Sequence, residues 1–511
     1  MSAGDPANDP AFGALLPPRR PPVGRNVTRV GIALGLAFAV LAAGAGYWQV
    51  IVASSLSSAP DNPAVIAAAR SVVRGRILDR HGTVLASSKK DANGEPYRVY
   101  VDDTIAPIVG YASRQFGTSG LERAYDQQLS GLVDTDPLRE FLKKFDPNPG
   151  DPQDLRLTLS LPLQRAAVAG LGDDIGAVVM LDPKTGAVLA MASTPTFDAS
   201  AVADPATAAR TFAAIRTDKR NPFLIRPTQG LYVPGSVFKI VTSVAALGSK
   251  AVTPATTYEA QPAAERNGLL VDGFPIRDGH HAFTANLPLD FASALEVSCN
   301  IWFALAGMAT GGIALADWAG RLGFGAGIPF DVPTAVSQVT SGGGSLGGGF
   351  ANRVELANAA YGQGETLVTP LQMALVAATI ANDGVLMKPR LVTSLASASG
   401  SRRDIAPEEW RRVLRVEDAR IIRDAMERAV EGEWGRLFTA GAAVSGVPTA
   451  GKSGTAQLGG TGEPNSWFIG FAPVNDPQIA IAVIVEHGGR GGERAAPLAG
   501  QLMKAFFALQ K

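Results

Sequence analysis

Ser236 and Lys239 stand three residues apart in the string Ser236-Val237-Phe238-Lys239. On a helix this spacing puts both side chains on one face, one turn apart, so the lysine amine can reach the serine hydroxyl proton. A lysine becomes a base only when burial or a neighbouring cation lowers its pKa, which is a route to an activated nucleophile. Lys452-Ser453-Gly454-Thr455 supplies such a cation, and Ser298-Cys299-Asn300 lies between the two strings. Each string alone occurs by chance in long proteins. In this order they describe one active site. Pro234-Gly235 interrupts the chain just before the serine and predicts Ser236 at a helix N-terminus, where unpaired N–H groups and the helix dipole favour developing negative charge. Attack on an amide carbonyl creates that charge. Lys452 beside two hydroxyls on a strand is a fitting receptor for the C-terminal carboxylate of a peptide.

Plainer readings compete at each position. A serine opening a helix is most often an N-cap, and an isolated lysine is a solvated charge. The ordered set outweighs both. Cys299 reads as a small buried hydrophobe rather than a nucleophile, Trp467 as core, and His280-His281 as part of a solvated loop. The four histidines show no H-E-x-x-H spacing, and one cysteine excludes an internal disulfide and a cysteine-rich metal site, so no metal and no cofactor is expected. With 46 basic and 46 acidic residues the formal net charge is zero, which offers no global field for nucleic acid.

The elements that must position these residues follow from periodicity and punctuation. Residues 1–29 form a short tail in which Arg19, Arg20, Arg25 and Arg29 outnumber Asp5 and Asp9, and Val30–Ala53 is an uncharged apolar run long enough to span a membrane. By the positive-inside rule the tail is cytoplasmic and the remainder extracytoplasmic. The run exceeds a signal-peptide core, which favours a retained anchor over a cleaved leader. Residues 54–152 make a small module with two short strands about a turn at His81-Gly82 and a helix near Ala124–Leu129. A Pro-, Gly- and Asp-rich break at Asp146–Pro152 ends it. Residues 153–511 form the catalytic domain. Hairpins are expected at Gly176–Ala192 and Trp467–Val485, with helices at Ser236–Leu247, Pro370–Ala381 and Ala495–Leu509. Strands arise from both ends of the domain and helices from its middle. The fold class is therefore α+β, an antiparallel sheet covered on both faces by helices plus a helical lobe. The run Ser341–Gly349 lacks the pattern of a phosphate-binding loop and reads as a mobile one.

At the three strings the chain resembles the penicillin-binding proteins and serine β-lactamases. The resemblance extends to Tyr232-Val233-Pro234-Gly235, Ala360-Tyr361-Gly362-Gln363-Gly364, Val368-Thr369-Pro370-Leu371-Gln372-Met373, Asn382-Asp383-Gly384 and Trp467–Pro473. Arg74-Gly75-Arg76-Ile77-Leu78-Asp79-Arg80 resembles the start of the extracytoplasmic region in class B, monofunctional transpeptidases. Val233 and Val237 depart from the residues common there, removing no catalytic group. The resemblance implies a penicillin-binding transpeptidase fold with Ser236 as nucleophile, Lys239 as its base, Ser298 as proton relay and Asn300 orienting Lys239 and the substrate amide. It also implies an oxyanion hole from the N–H groups of Ser236 and Thr455, and Lys452, Ser453, Gly454 and Thr455 on the substrate side. The activity implied is peptidoglycan D,D-transpeptidation through an acyl-serine that β-lactams also form. Hydrolysis, as a D,D-carboxypeptidase or β-lactamase, uses the same motifs, and a non-catalytic scaffold or sensor could keep the fold. Partners implied are stem peptides, β-lactams and the cell membrane, with a division or elongation complex left open and no nucleic acid.

Overall fold

A computed structural model describes residues 23–48, 73–131, 151–278, 281, 287–344, 346–397, 400–457 and 462–510. The chain divides into two units, residues 1–71 and 72–511. In the first, Val23–Gly46 is one helix of 24 residues. Its Val27–Gly46 part has a mean hydropathy of 1.9 and is long and apolar enough to cross a membrane. The helix begins at Val23 rather than Val30 because arginine is a good helix former, so the charged residues before Val30 do not interrupt it. Residues 49–53 of the expected span lie outside the described residues.

The second unit is built on a five-stranded, wholly antiparallel sheet in the order Ala450–Ala456, Asn465–Ala472, Ile479–Val485, Gly176–Leu181, Val188–Thr194. Four of these strands read as nearly unbroken apolar runs, because both faces are covered. Alternation still sorts them. Ala177, Val179 and Leu181 join the core beneath helix Pro370–Ala381, whereas Val178 and Met180 pack with Leu163, Leu171, Leu498 and Met503 from helices Leu161–Leu171 and Ala495–Leu509. The expected sheet, its two helical faces and both hairpins are present. Helices Lys239–Gly248, Gln261–Asn267, Phe291–Glu296, Asn300–Thr310, Gly312–Arg321 and Arg353–Ala360 make the lobe on the Ala450–Ala456 side.

A second sheet of six strands carries the N-terminal part. Its order is Arg402–Asp404, Val392–Ser397, Gln153–Leu157, Ile77–Leu78, Val84–Lys90, Pro96–Tyr100. Strand Gln153–Leu157 pairs parallel with Ile77–Leu78 and antiparallel with Val392–Ser397. The Arg74–Arg80 motif is explained by what it holds. Arg76 Nη2 meets Asp154 Oδ2 at 2.7 Å, and Asp79 Oδ1 accepts from the N–H groups of His81 and Thr83 at 2.9 and 2.8 Å, closing the turn at His81-Gly82. The fully buried Glu122 carboxylate takes Arg98 Nε at 2.6 Å, Arg74 Nε at 2.9 Å and Tyr100 Oη at 3.3 Å.

Candidate active site

Ser236 lies in a 3-10 turn, Gly235–Phe238, that runs into helix Lys239–Gly248. In a 3-10 turn residues i and i+3 eclipse, so the tighter winding keeps Ser236 and Lys239 on one side. The turn is wedged from two directions. Gly235 N donates to Gly362 O at 2.8 Å, and a Cβ on Gly362, itself at φ +83°, would stand 1.9 Å from Gly235 O. From the sheet, a Cβ on Gly454 would stand 2.9 Å from Pro234 O and 3.1 Å from Val237 N, so only glycine lets strand Ala450–Ala456 approach this closely. Trp467 is fully buried and donates from Nε1 to Val233 O at 3.0 Å. It is core, as expected, and its core position also braces the turn.

Ser298 has φ +64°, a left-handed conformation uncommon outside glycine, between helices Phe291–Glu296 and Asn300–Thr310. That turn aims two oxygens at one amine. Lys239 Nζ lies 2.5 Å from Ser298 O, 3.1 Å from Ser298 Oγ and 2.7 Å from Asn300 Oδ1. Among the described residues the Ser236 hydroxyl has no hydrogen-bond partner. Ser236, Ser298, Asn300, Ser453 and Thr455 line a single open cleft of about 950 Å³, which Arg277, Asn358, Gln363 and Arg490 also line. Lys239 and Lys452 are buried, and Gly454 backs the turn. Ala450–Ala456 is the edge strand of its sheet, so one side of its backbone has no strand partner and faces this lobe.

Burial holds the Lys239 amine down at about 8, against the opposing influence of Asp278 and Cys299. Burial first, and the charge of Lys239 second, push Lys452 well below the ordinary lysine range. Its Nζ donates to Ser453 O at 3.1 Å. The sequence reading had Lys452 as the fixed cation that depresses Lys239. In the structure desolvation is the leading cause for both amines, offset only in part by Asp278 at Lys239.

Several cleft residues carry no local signature. Asp278 accepts from Asn300 N at 3.0 Å and Ile301 N at 3.3 Å, capping the helix that carries Asn300. Arg277 and Arg490 come from loops, and no spacing rule points to either. Tyr361, Gly362 and Gln363 were visible as a motif, but their support of the serine turn was not. His281 is a correction: it is 6 % exposed rather than solvated, whereas His280 lies outside the described residues. Beneath Asn300, the ligand atoms of Glu265, Asp278, His281 and Cys299 lie within 4.8 Å of one another. Metal-spacing rules miss this set because its members come from separate stretches of chain.

The penicillin binding protein transpeptidase domain matches residues 176–504, and the penicillin binding protein A dimerisation domain matches residues 74–150. This chain belongs to the penicillin-binding protein transpeptidases. The peptidoglycan D,D-transpeptidase PbpA of Mycolicibacterium smegmatis is 33% identical over 497 residues, covering 93% of this chain and 97% of that protein. The peptidoglycan D,D-transpeptidase MrdA of Escherichia coli K12 is 28% identical, over 77% of this chain and 64% of MrdA. Among solved structures, the ceftriaxone acyl-enzyme of penicillin-binding protein A from M. tuberculosis superposes with a TM-score of 0.76 at 28% identity, covering 86% of this chain and 99% of that one. The D,D-transpeptidase domain of a peptidoglycan glycosyltransferase from Eggerthella lenta gives 0.73 at 31% identity, with 86% and 99% covered. In this chain residues of all three motifs line one cleft.

Proposed function

We propose that this chain is a membrane-anchored peptidoglycan D,D-transpeptidase that cross-links stem peptides through an acyl-Ser236 intermediate. The carrying observation is the convergence of the free Ser236 hydroxyl, the Lys239–Ser298–Asn300 cluster and the edge strand with Ser453 and Thr455 on one cleft. Neutral Lys239 takes the Ser236 proton as Oγ attacks the penultimate D-alanine carbonyl. The N–H groups of Ser236 and Thr455 receive the oxyanion, and Ser453 with Thr455 and Lys452 receives the terminal carboxylate. Neutral Lys239 donates its two N–H groups to Ser298 O and Asn300 Oδ1; once its lone pair has taken the Ser236 proton, the ammonium donates to Ser298 Oγ, which passes its own proton to the departing D-alanine amine and is reprotonated by Lys239. An acceptor amine then attacks the ester, its proton returns through the same groups, and Ser236 is regenerated. β-Lactams acylate the same serine.

Transfer is favoured over hydrolysis by the cleft lining. Among the described residues that line it, Asp278 is the lone carboxylate, and its oxygens are engaged by the N–H groups of Asn300 and Ile301. A deacylating water therefore finds no free carboxylate base there. Helix Val23–Gly46 serves as the membrane anchor, with residues 1–29 cytoplasmic and both residues 54–152 and the transpeptidase domain at 153–511 outside. Membrane proteins of a division or elongation complex are the partners this placement suits.

Intact-mass analysis of the full chain in detergent with benzylpenicillin should show one covalent adduct, absent in Ser236→Ala. A donor pentapeptide and an acceptor amine should then give a cross-linked product in excess of hydrolysed tetrapeptide. An adduct on Ser236→Ala, or hydrolysis alone at saturating acceptor, would refute the assignment.

A further inference from the structure

We infer that Glu265, Asp278, His281 and Cys299 form a binding site for one Zn²⁺ ion, a structural clamp on the chain segment that carries Ser298 and Asn300. The four side chains come from helix Gln261–Asn267, from the two sides of a loop that follows strand Phe274–Ile276, and from the start of helix Asn300–Thr310. Their ligand atoms all lie within 4.8 Å of one another. His281 Nδ1 is 3.8 Å from both Glu265 Oε1 and Asp278 Oδ2, and Cys299 Sγ is 3.1 Å from Glu265 Oε1. Zinc bonds of about 2.0–2.3 Å in a tetrahedron separate neighbouring ligand atoms by roughly 3.3–3.8 Å, so the set needs only small side-chain movements to close.

The donor chemistry narrows the ion. One thiolate, one imidazole and two carboxylate oxygens suit Zn²⁺, whereas Mg²⁺ and Ca²⁺ require oxygen ligands throughout. The side chains of Glu265, Asp278 and His281 are 4 %, 2 % and 4 % exposed, and Cys299 is fully buried. Carboxylates so gathered in the interior are costly without a compensating cation. Glu265 Oε2 is an independent sign, a buried oxygen with no hydrogen-bond partner among the described residues. Cys299 Sγ accepts from Trp302 N at 3.3 Å and lies within reach of Glu265 Oε1, while burial first, and then the Asp278 and Glu265 carboxylates, hold the metal-free thiol protonated. Binding converts the Cys299 thiol to thiolate and releases its proton to solvent, with no redox change. Four protein ligands leave no open position, so the ion is structural.

What the ion would hold is the strained turn. Ser298 at φ +64° immediately precedes Cys299, and Asp278 already caps Asn300 and Ile301. A metal joining Cys299 and Asp278 to Glu265 and His281 fixes the geometry that points Ser298 and Asn300 at Lys239.

The full chain in detergent, stripped with a chelator, is titrated with Zn²⁺ alone or Co²⁺ alone. Expected are one bound equivalent per chain, a near-ultraviolet Co²⁺–thiolate charge-transfer band, and a melting temperature that rises on Zn²⁺ return. The band should vanish in Cys299→Ser, and Zn²⁺ affinity should fall at least about tenfold in His281→Gln and Glu265→Gln. Should Cys299→Ser fail to fold, the band in the unaltered chain and its weakening in Glu265→Gln decide the matter. No stoichiometric metal, no thiolate band, or a band that survives in a folded Cys299→Ser protein overturns the inference. Penicillin acylation is read separately, so loss of the transpeptidase assignment leaves this test intact.

Discussion

Replacing Lys239 by arginine removes the one property its proposed role requires, the ability to lose a proton. The amine is held at about 8 by burial, so about one molecule in eleven carries it neutral at pH 7 and about ten in eleven at pH 9. Because the neutral form is the base, acylation of the unaltered chain by one β-lactam should climb roughly tenfold across that range and then level off. Arginine does not deprotonate in proteins. Lys239→Arg should lose about 10²- to 10⁴-fold in the second-order acylation rate, the usual share of general-base catalysis, and should lose the rise with pH. Lys452→Arg behaves differently. It fixes a positive charge beside Lys239 and should move the climb to lower pH, and each pH unit of displacement reports about 1.4 kcal/mol of added repulsion. Stopped-flow acylation with a fluorescent penicillin over pH 6–10 (a range set by about two units on either side of the Lys239 value) measures all three proteins. Thermal melts confirm folding, and Lys239→Met serves as a smaller control. Acylation by folded Lys239→Arg within tenfold of the unaltered chain would remove Lys239 as the base, and an alkaline shift in Lys452→Arg would contradict the coupling.

Gly362→Ala places a methyl 1.9 Å from Gly235 O at a backbone φ of +83°, so the serine turn must move; a displacement near 1 Å predicts about a hundredfold slower acylation, visible as a burst rate with normal adduct stoichiometry. Glu122→Gln removes the charge facing buried Arg98 and partly buried Arg74 and should lower stability by about 3–5 kcal/mol in urea melts, with acylation of the still-folded fraction retained; an unchanged melt would show that the cluster is not sustained by the ion pairs.

The order of the three motifs, the two hairpins, the helices at Pro370–Ala381 and Ala495–Leu509 and an N-terminal helix apolar enough to span a membrane are all legible in the chain itself. Each is written in local periodicity or in turn residues, which a short window contains. The family resemblance carried that reading to a fold and a chemistry. Tertiary structure decided the rest. Lys239 meets Ser298 and Asn300 across 59 and 61 residues, and strand Gln153–Leu157 meets Val392–Ser397, with Arg156 and Thr393 bonded across 237 residues. Periodicity shows which face of an element is apolar but does not name the surface that will cover it. The depth of burial that lowers both lysines is likewise a property of the assembled core, since desolvation depends on everything packed around an amine. The same reason hid the Glu265, Asp278, His281 and Cys299 set. In the sequence His281 reads as a solvated histidine and Cys299 as a small hydrophobe, Glu265 and Asp278 carry no signature, and only the tertiary fold places the four ligand atoms within 4.8 Å.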